Sequence, residues 1–105
     1  NLDDAIAKFP ATSNTPEIII PVADDYKFEL AKRIINNADF PSGKVTTLDG
    51  LRVDFSNGWG LVRASNTGPA LTARFEADTL ENLRKIQDEF RTQIAQIDPA
   101  IELNF

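Results

Sequence analysis

The sequence contains no histidine and no cysteine, and the absence of these residue types limits the chemistry that its side chains can support. The lack of histidine removes the commonest general base near neutral pH and the commonest metal ligand. The lack of cysteine excludes a disulfide framework, a thiolate nucleophile and a Cys-ligated zinc site, and it fits a reducing compartment. Any catalysis would therefore rest on carboxylates, lysines, hydroxyl groups or Tyr26.

Long apolar runs and an excess of basic residues are also missing. No stretch approaches the ~20 apolar residues of a membrane span, and the start of the sequence lacks the basic and apolar regions of a signal peptide. The chain has 16 acidic and 11 basic residues and a formal charge of -5. This balance argues against nucleic acid or anionic lipid as a partner. We expect a cytoplasmic protein with no membrane and no nucleic-acid partner.

What is present suffices for one domain with a modest core, since the 105 residues are 42% hydrophobic and include seven Phe. The apolar run at 17–22 predicts a strand covered on both faces, and Pro21 marks the end of this strand or an edge of the sheet. Asp24 or Asp25 can cap a helix that runs to about Ala38. Its apolar stripe is predicted to comprise Phe28, Ala31, Ile34, Ile35 and Ala38.

The middle of the chain carries two strong hairpin signals, Asp49-Gly50 and Asn57-Gly58. Apolar and polar residues alternate in 51–55 and again in 70–77, which predicts strands with one buried face. A capping-box-like pattern at 78–81 opens a long helix to about Ile97, with a predicted apolar stripe of Leu83, Ile86, Phe90, Ile94 and Ile97. The expected fold class is α+β: a mainly antiparallel four- to five-stranded sheet with two helices packed on one face.

A cluster of arginines is expected on the polar face of this sheet. With Asn57-Gly58 as a two-residue loop, Arg52 falls opposite Arg63, and Arg74 on the next strand joins them. Like charges placed opposite one another need carboxylates, solvent or an external anion as partners.

The loop that follows Arg63 has the composition of an anion cradle. Ser65 and Thr67 offer hydroxyl groups, Asn66 offers an amide, and Gly68 allows neighbouring N–H groups to form a concave nest. Arg63 at its mouth supplies the planar fork that binds phosphate through two hydrogen bonds. The same residue types also occur in ordinary loops between strands, so the pattern alone leaves both interpretations open.

The segment GWGLVRASNTGP, preceded by DGLRVDF and followed by LTARFEAD, resembles the C-terminal domain of the α-D-phosphohexomutases. The similarity is greatest to the bacterial phosphomannomutase/phosphoglucomutase branch, and it extends over about residues 10–105. The resemblance implies a TATA-binding-protein-like α+β domain over 10–105, with residues 1–9 as a linker helix from a preceding domain.

The resemblance also implies a function for the loop. Arg63, Ser65, Asn66 and Thr67 would contact the phosphate of a hexose phosphate that is not being transferred, with Gly68, Arg52 and Arg74 as possible accessory residues. Gly68 stands where many family members carry Glu, and this leaves one sugar or phosphate contact in doubt. No catalytic residue and no metal ligand is expected in this chain.

In the resembled family, phosphoryl transfer interconverts hexose 1-phosphates and 6-phosphates through a bisphosphorylated sugar. The phosphoserine and the Mg²⁺-binding aspartates belong to the other three domains, so Mg²⁺ and glucose 1,6-bisphosphate are implied only for the whole enzyme. Two alternatives remain: a free-standing α+β protein-interaction module, and a fragment of a phosphoglucosamine mutase. The identities of Ala64 and Asn66 argue against the second alternative.

Overall fold

The structure, a computed structural model, describes residues 13–48 and 50–105. The described chain runs in the order β1 (Ser13–Asn14), β2 (Ile18–Pro21), α1 (Lys27–Asn37), β3 (Lys44–Thr46), β4 (Leu51–Phe55), β5 (Gly58–Ala64), β6 (Ala70–Ala77) and α2 (Leu80–Ile97). The linker helix expected over residues 1–9 lies outside the described residues.

The strands form one antiparallel sheet with the order β1-β6-β5-β4-β3, and β2 also pairs with β6. β1 pairs with the end of β6 and β2 with its beginning, so these two short strands follow one another along the same edge. The sheet therefore has six strands instead of the expected four or five, because its outer strand is broken in two. The expected α+β fold class is confirmed.

The core lies between one face of the sheet and the two helices. The predicted apolar stripe of the long helix α2 is confirmed, since its buried residues are Leu83, Ile86, Phe90 and Ile94. The predicted cap is confirmed in part: the Thr79 side chain accepts a hydrogen bond from the Asn82 N–H at 3.1 Å. A side-chain oxygen at this position satisfies an N–H group that the helix itself cannot.

Helix α1 departs from the prediction at its first turn. Its buried residues are Lys27, Leu30 and Ile34, whereas Phe28, which the spacing assigned to the core, is 60% exposed. The helix begins at Lys27, and the i, i+3 and i+7 positions counted from that residue face the sheet. A lysine therefore occupies the place expected for an aromatic ring.

The predicted cap of α1 is also wrong. Tyr26 occupies the N-cap position, and no side-chain hydrogen bond caps the helix. The Asp24 carboxylate pairs instead with the Lys27 ammonium group at 2.9 Å.

Strand β2 is covered on one face only, contrary to the prediction. Ile20 is fully buried, but Ile19 between its neighbours is 49% exposed. Consecutive residues of a strand point to opposite faces, and the helices cover just one of them. The last residues of the chain pack Ile101, Leu103 and Phe105 against the core without forming a strand.

Candidate functional site

The loop between β5 and β6 folds back on its own hydroxyl groups. The Ser65 N–H donates to the Ala70 carbonyl at 2.9 Å and closes the loop at its base. At its tip the Thr67 N–H donates to Ser65 Oγ at 3.2 Å, and the Ser65 and Thr67 hydroxyl oxygens lie 3.3 Å apart. The local turn therefore brings two predicted site residues together, with both hydroxyl groups on the same short bend.

The second half of the loop is held from outside. The Gly68 carbonyl accepts hydrogen bonds from the Ala70 N–H at 2.9 Å and from Lys27 Nζ at 2.8 Å. The Pro69 carbonyl accepts a hydrogen bond from the Val22 N–H at 2.9 Å. The segment that leads from β2 into α1 thus fixes the base of the loop, while Asn66 and Thr67 at the tip are exposed.

Arg63 lies at the end of β5, two residues before Ser65, and its side chain is exposed. The β4–β5 register places Gly50 beside it, one position beyond the Leu51–Val62 pair. Gly50 has a φ of 112°, and a methyl group there would lie 2.6 Å from Arg63 Cβ. The β3–β4 and β5–β6 connections therefore lie close together at Gly50, whereas Asp49 lies outside the described residues.

The predicted opposition of Arg52 and Arg63 is wrong. Arg52 pairs with Leu61, because the two-residue loop is Ser56-Asn57 and Phe55 pairs with Gly58. An Asn57-Gly58 turn of the favoured hairpin type needs positive φ at both residues. Among the described residues only Gly50 has a positive φ. The register is shifted by two residues, which preserves the faces but changes the partners.

Arg52 belongs to a contact network of its own on the open face of the sheet. Its guanidinium group donates to the Asp54 carboxylate, with the Nη2–Oδ1 distance at 3.1 Å. The same group lies over the Trp59 ring, 4.4 Å from the ring centre. The structure therefore places Arg52 against a carboxylate and an indole, beside the loop and not in it.

Arg74 is exposed and pairs with Leu61 from β6. Arg63 pairs with Thr72, so Arg74 is its diagonal neighbour on the same face. Diagonal neighbours are separated by about 7–8 Å, which is within the reach of long side chains. Arg52, Leu61 and Arg74 thus form a row across the sheet, one step further from the loop than Arg63.

This arrangement can bind an oxyanion. Two hydroxyl groups, an exposed amide side chain and a guanidinium group lie within five residues. Within the described part of the chain, the N–H groups of Asn66 and Gly68 carry no hydrogen bond, so they are available to a ligand. Backbone N–H groups, hydroxyls and a guanidinium group are the usual donors to phosphate oxygens.

Among the described residues, no group of three or more carboxylates converges as metal ligands would. Neither described helix combines the length and the apolarity needed to cross a bilayer.

Two residues that shape the site were missed from the sequence. Lys27 contacts the loop backbone, and Gly50 leaves room for Arg63. A signal for Lys27 existed, because it precedes the apolar Leu30 and Ile34 by three and seven residues and so lies on the buried stripe. The Asp49-Gly50 pair marked a turn, but a turn signal does not reveal which side chain packs against the glycine.

Comparisons with known proteins agree with the fold. A sequence model of the family described as "Phosphoglucomutase/phosphomannomutase, C-terminal domain" matches residues 17–93. The chain belongs to this family of domains. It is 48% identical over 103 residues to the phosphomannomutase/phosphoglucomutase of Pseudomonas putida, a match that covers 98% of this chain and 22% of that protein.

Other relatives show the same partial coverage. A phosphoglucomutase of Neisseria meningitidis is 38% identical over 96 residues, which cover 90% of this chain and 21% of that protein. A crystal structure of a phosphoglucomutase/phosphomannomutase family protein from Burkholderia thailandensis superposes with a TM-score of 0.80 at 36% identity. It covers 91% of this chain and 20% of that one. The chain thus spans about a fifth of the length of the relatives that it matches.

Proposed function

We propose that this chain is the C-terminal, substrate-phosphate-binding domain of a phosphomannomutase/phosphoglucomutase. In this proposal Arg63, Ser65, Asn66 and Thr67 hold the phosphate of a hexose phosphate that is not being transferred. The domain itself supplies no catalytic residue, and the transfer takes place on the other domains of the parent enzyme.

The observation that carries the proposal is the convergence of donors at the end of β5. The Ser65 and Thr67 hydroxyl oxygens lie 3.3 Å apart, and the exposed Arg63 precedes them by two residues. A dianion needs several donors at one point, because each phosphate oxygen accepts more than one hydrogen bond. An Arg at the edge of such a bend adds both charge and a planar pair of donors.

The strength of this site is limited by its exposure. Three or four charge-assisted hydrogen bonds are worth about 1.5–3 kcal/mol each before the entropy of association is subtracted. The isolated domain is therefore expected to bind a hexose phosphate at roughly millimolar concentration. In the parent enzyme, contacts from the other domains add to this affinity, and closure of the cleft excludes water from the transfer.

The whole enzyme would interconvert hexose 1-phosphates and 6-phosphates through a bisphosphorylated sugar such as glucose 1,6-bisphosphate. Mg²⁺ would be bound by the other domains of the parent protein, as the family resemblance implies. Its role there is to stabilise charge on the transferred phosphoryl group. A cytoplasmic location fits the abundance of sugar phosphates expected for such a reaction and the absence of cysteine from the chain.

The test is the Arg63→Ala variant of the full-length enzyme. Loss of one charge-assisted contact should raise the KM for glucose 1-phosphate by roughly tenfold to a hundredfold. Arg84→Ala is the matched control, because Arg84 is exposed on helix α2 on the opposite side of the sheet. Unchanged KM and kcat in Arg63→Ala would reject the proposal.

A titration of this chain with glucose 1-phosphate, followed by amide NMR, separates the proposal from the alternative of a protein-interaction module. Shifts confined to residues 63–68 support phosphate binding, and no shifts at high millimolar ligand count against it. An interaction module would also need an apolar open face. The described open face instead carries Arg52, Asp54, Arg63, Arg74 and Glu76 beside Trp59 and Leu61.

The phosphoglucosamine mutase alternative has weaker support. A probable phosphoglucosamine mutase from Methanopyrus kandleri is 30% identical over 89 residues, well below the Pseudomonas putida relative. Comparison of glucose, mannose and glucosamine phosphates as substrates of the parent enzyme decides between the two.

A further inference from the structure

Lys27 is a buried cation at an unfavourable place in the fold. The residue is 5% exposed, and it is the first residue of helix α1. Burial removes the water that solvates an ammonium group, and the N-terminus of a helix carries partial positive charge. Both effects disfavour a lysine here, so its contacts must provide compensation.

One of these contacts is made to the loop of the candidate site. Lys27 Nζ donates to the Gly68 carbonyl at 2.8 Å, and that carbonyl also accepts the Ala70 N–H at 2.9 Å. Gly68 directly follows Thr67. The ammonium group therefore fixes the orientation of the peptide plane at the point where the loop turns back toward β6.

The other contact offsets the charge only weakly. Lys27 Nζ lies 2.9 Å from Asp24 Oδ1, but the Asp24 side chain is 73% exposed. Solvent and salt screen a carboxylate in such a position. Lys27 Nζ also makes a cation–π contact with the Phe28 ring, 5.0 Å from the ring centre, but an uncharged ring does not neutralise the ammonium group. Much of the positive potential of Lys27 thus remains at the base of the loop.

We infer that Lys27 is a positioning residue of the phosphate loop, a role that rests on the proposed function. It acts through the Gly68 carbonyl: it holds the loop in the conformation that exposes the donors of Ser65, Asn66 and Thr67, and it adds a positive charge behind them. Arg63 binds the phosphate directly, whereas Lys27 prepares the backbone that surrounds it. Preorganisation of this kind lowers the cost of binding.

The test uses two variants of the full-length enzyme. If Lys27 and Asp24 formed only a structural ion pair, both substitutions would have the same effect. Lys27→Met removes the charge and the hydrogen bond to Gly68 while keeping the length of the side chain. We expect it to raise the KM for glucose 1-phosphate by about tenfold or more, with a smaller change in kcat. Asp24→Asn removes only the counter-charge, so we expect a KM that falls by up to about fivefold at low salt.

The matched control is Lys32→Met, which removes an exposed cation from the same helix. This control separates the effect of the position of Lys27 from the effect of losing one positive charge. The KM of Lys32→Met should equal that of the unmodified enzyme. A role confined to stability would lower the Tm of both the Lys27 and the Asp24 variants and leave KM unchanged. That result would overturn the inference, as would a rise of KM in Asp24→Asn equal to that in Lys27→Met.

Two further variants keep the inference testable if Lys27→Met does not fold. Lys27→Arg keeps the charge and should retain most of the affinity, whereas Lys27→Gln keeps a hydrogen-bond donor without charge and should lose affinity. Equal KM values for these two variants would contradict the inference. Arg63→Ala measured in parallel separates the two proposals: a raised KM there, with normal KM in the Lys27 variants, rejects the role of Lys27 alone.

Discussion

Two glycines on either side of Arg63 differ sharply in their surroundings. A methyl group at Gly60 in β5 would lie 2.5 Å from Phe90 Cε1 and 2.9 Å from Phe75 Cδ1. A methyl group at Gly68 in the following loop would meet no atom within 4 Å. The first glycine is required by a packed core, and the second leaves space that a ligand or a longer side chain can fill. The scaffold of this domain is thus specified by packing, while its loop is specified by the donors that it exposes.

The largest expected effect is at Gly58, the first residue of β5. A methyl group there would clash with the Glu76 backbone carbonyl, which cannot move without disturbing the pairing of β5 with β6. Overpacking of this kind costs about 2–3 kcal/mol, so Gly58→Ala should lower the urea midpoint of this chain strongly.

Gly68→Ala is the control for this comparison. Its open surroundings predict a change in the free energy of unfolding of less than about 0.5 kcal/mol. Similar losses in Gly58→Ala and Gly68→Ala would contradict the distinction between a packed scaffold and an open loop.

Gly50 lies beside both the packed scaffold and the loop. Its replacement should therefore affect both the stability of the fold and the binding of substrate. Its φ of 112° is disfavoured for any residue with a Cβ atom, and the added methyl group would press on Arg63. We expect Gly50→Ala to cost about 1–3 kcal/mol of stability and to raise the KM of the parent enzyme for glucose 1-phosphate. Urea denaturation and steady-state kinetics measure the two effects separately. A loss of stability with unchanged KM would show that the position of Arg63 does not depend on Gly50.

Arg52 tests whether a charged residue near the loop belongs to the scaffold. Its guanidinium group bonds to Asp54 and stacks on Trp59, so Arg52→Ala should cost about 1 kcal/mol of stability. Because the group is directed to those partners, the KM for glucose 1-phosphate should remain unchanged. An increase in KM comparable to that of Arg63→Ala would return Arg52 to the binding site as an accessory residue.

The regular parts of the fold could be predicted from the sequence because they follow simple periods. The alternation of Leu51, Val53 and Phe55 defined a strand, and the spacing from Leu83 to Ile94 defined the buried side of α2. Register could not be predicted in the same way. It depended on whether the turn used Ser56-Asn57 or Asn57-Gly58, and a shift of two residues leaves the apolar pattern unchanged.

The composition of the candidate site was visible in the sequence, but the contact between Lys27 and the loop was not. Ser65 and Thr67 are typical of a phosphate loop, and their hydroxyl groups indeed converge. Lys27 is distant in sequence by 41 residues from Gly68, and lysines are rarely buried, so no local pattern linked the two. Phe28 was wrongly assigned to the core because hydrophobicity alone cannot show whether Lys27 or Phe28 faces the sheet.

The smallest expected effect concerns Tyr26, which adjoins Lys27 in the chain but belongs to the scaffold. Its hydroxyl group donates to Asp98 Oδ2 at 3.0 Å and accepts a hydrogen bond from Arg33 Nη1 at 2.6 Å. Partial desolvation, followed by the hydrogen bond to Asp98, raises the pKa of Tyr26 above its ordinary value. The neutral form is therefore favoured by folding. The resulting stabilisation is complete below the pKa of the unfolded chain, about 10, and is lost as the pH rises through the pKa of the folded state.

Tyr26→Phe should consequently lower the stability slightly at pH 7, because the hydrogen bonds with Asp98 and Arg33 are lost, and the difference from the unmodified chain should shrink at alkaline pH. Urea midpoints of the two proteins at neutral and alkaline pH measure this difference. Since Tyr26 is the only tyrosine in the chain, its ionisation can also be followed directly by ultraviolet absorbance. An absorbance midpoint at or below that of free tyrosine would contradict the raised pKa. It would also imply that the link between the start of α1 and Asp98 is open in solution, so that the segment holding Lys27 against the loop is less rigid than the scaffold beneath it.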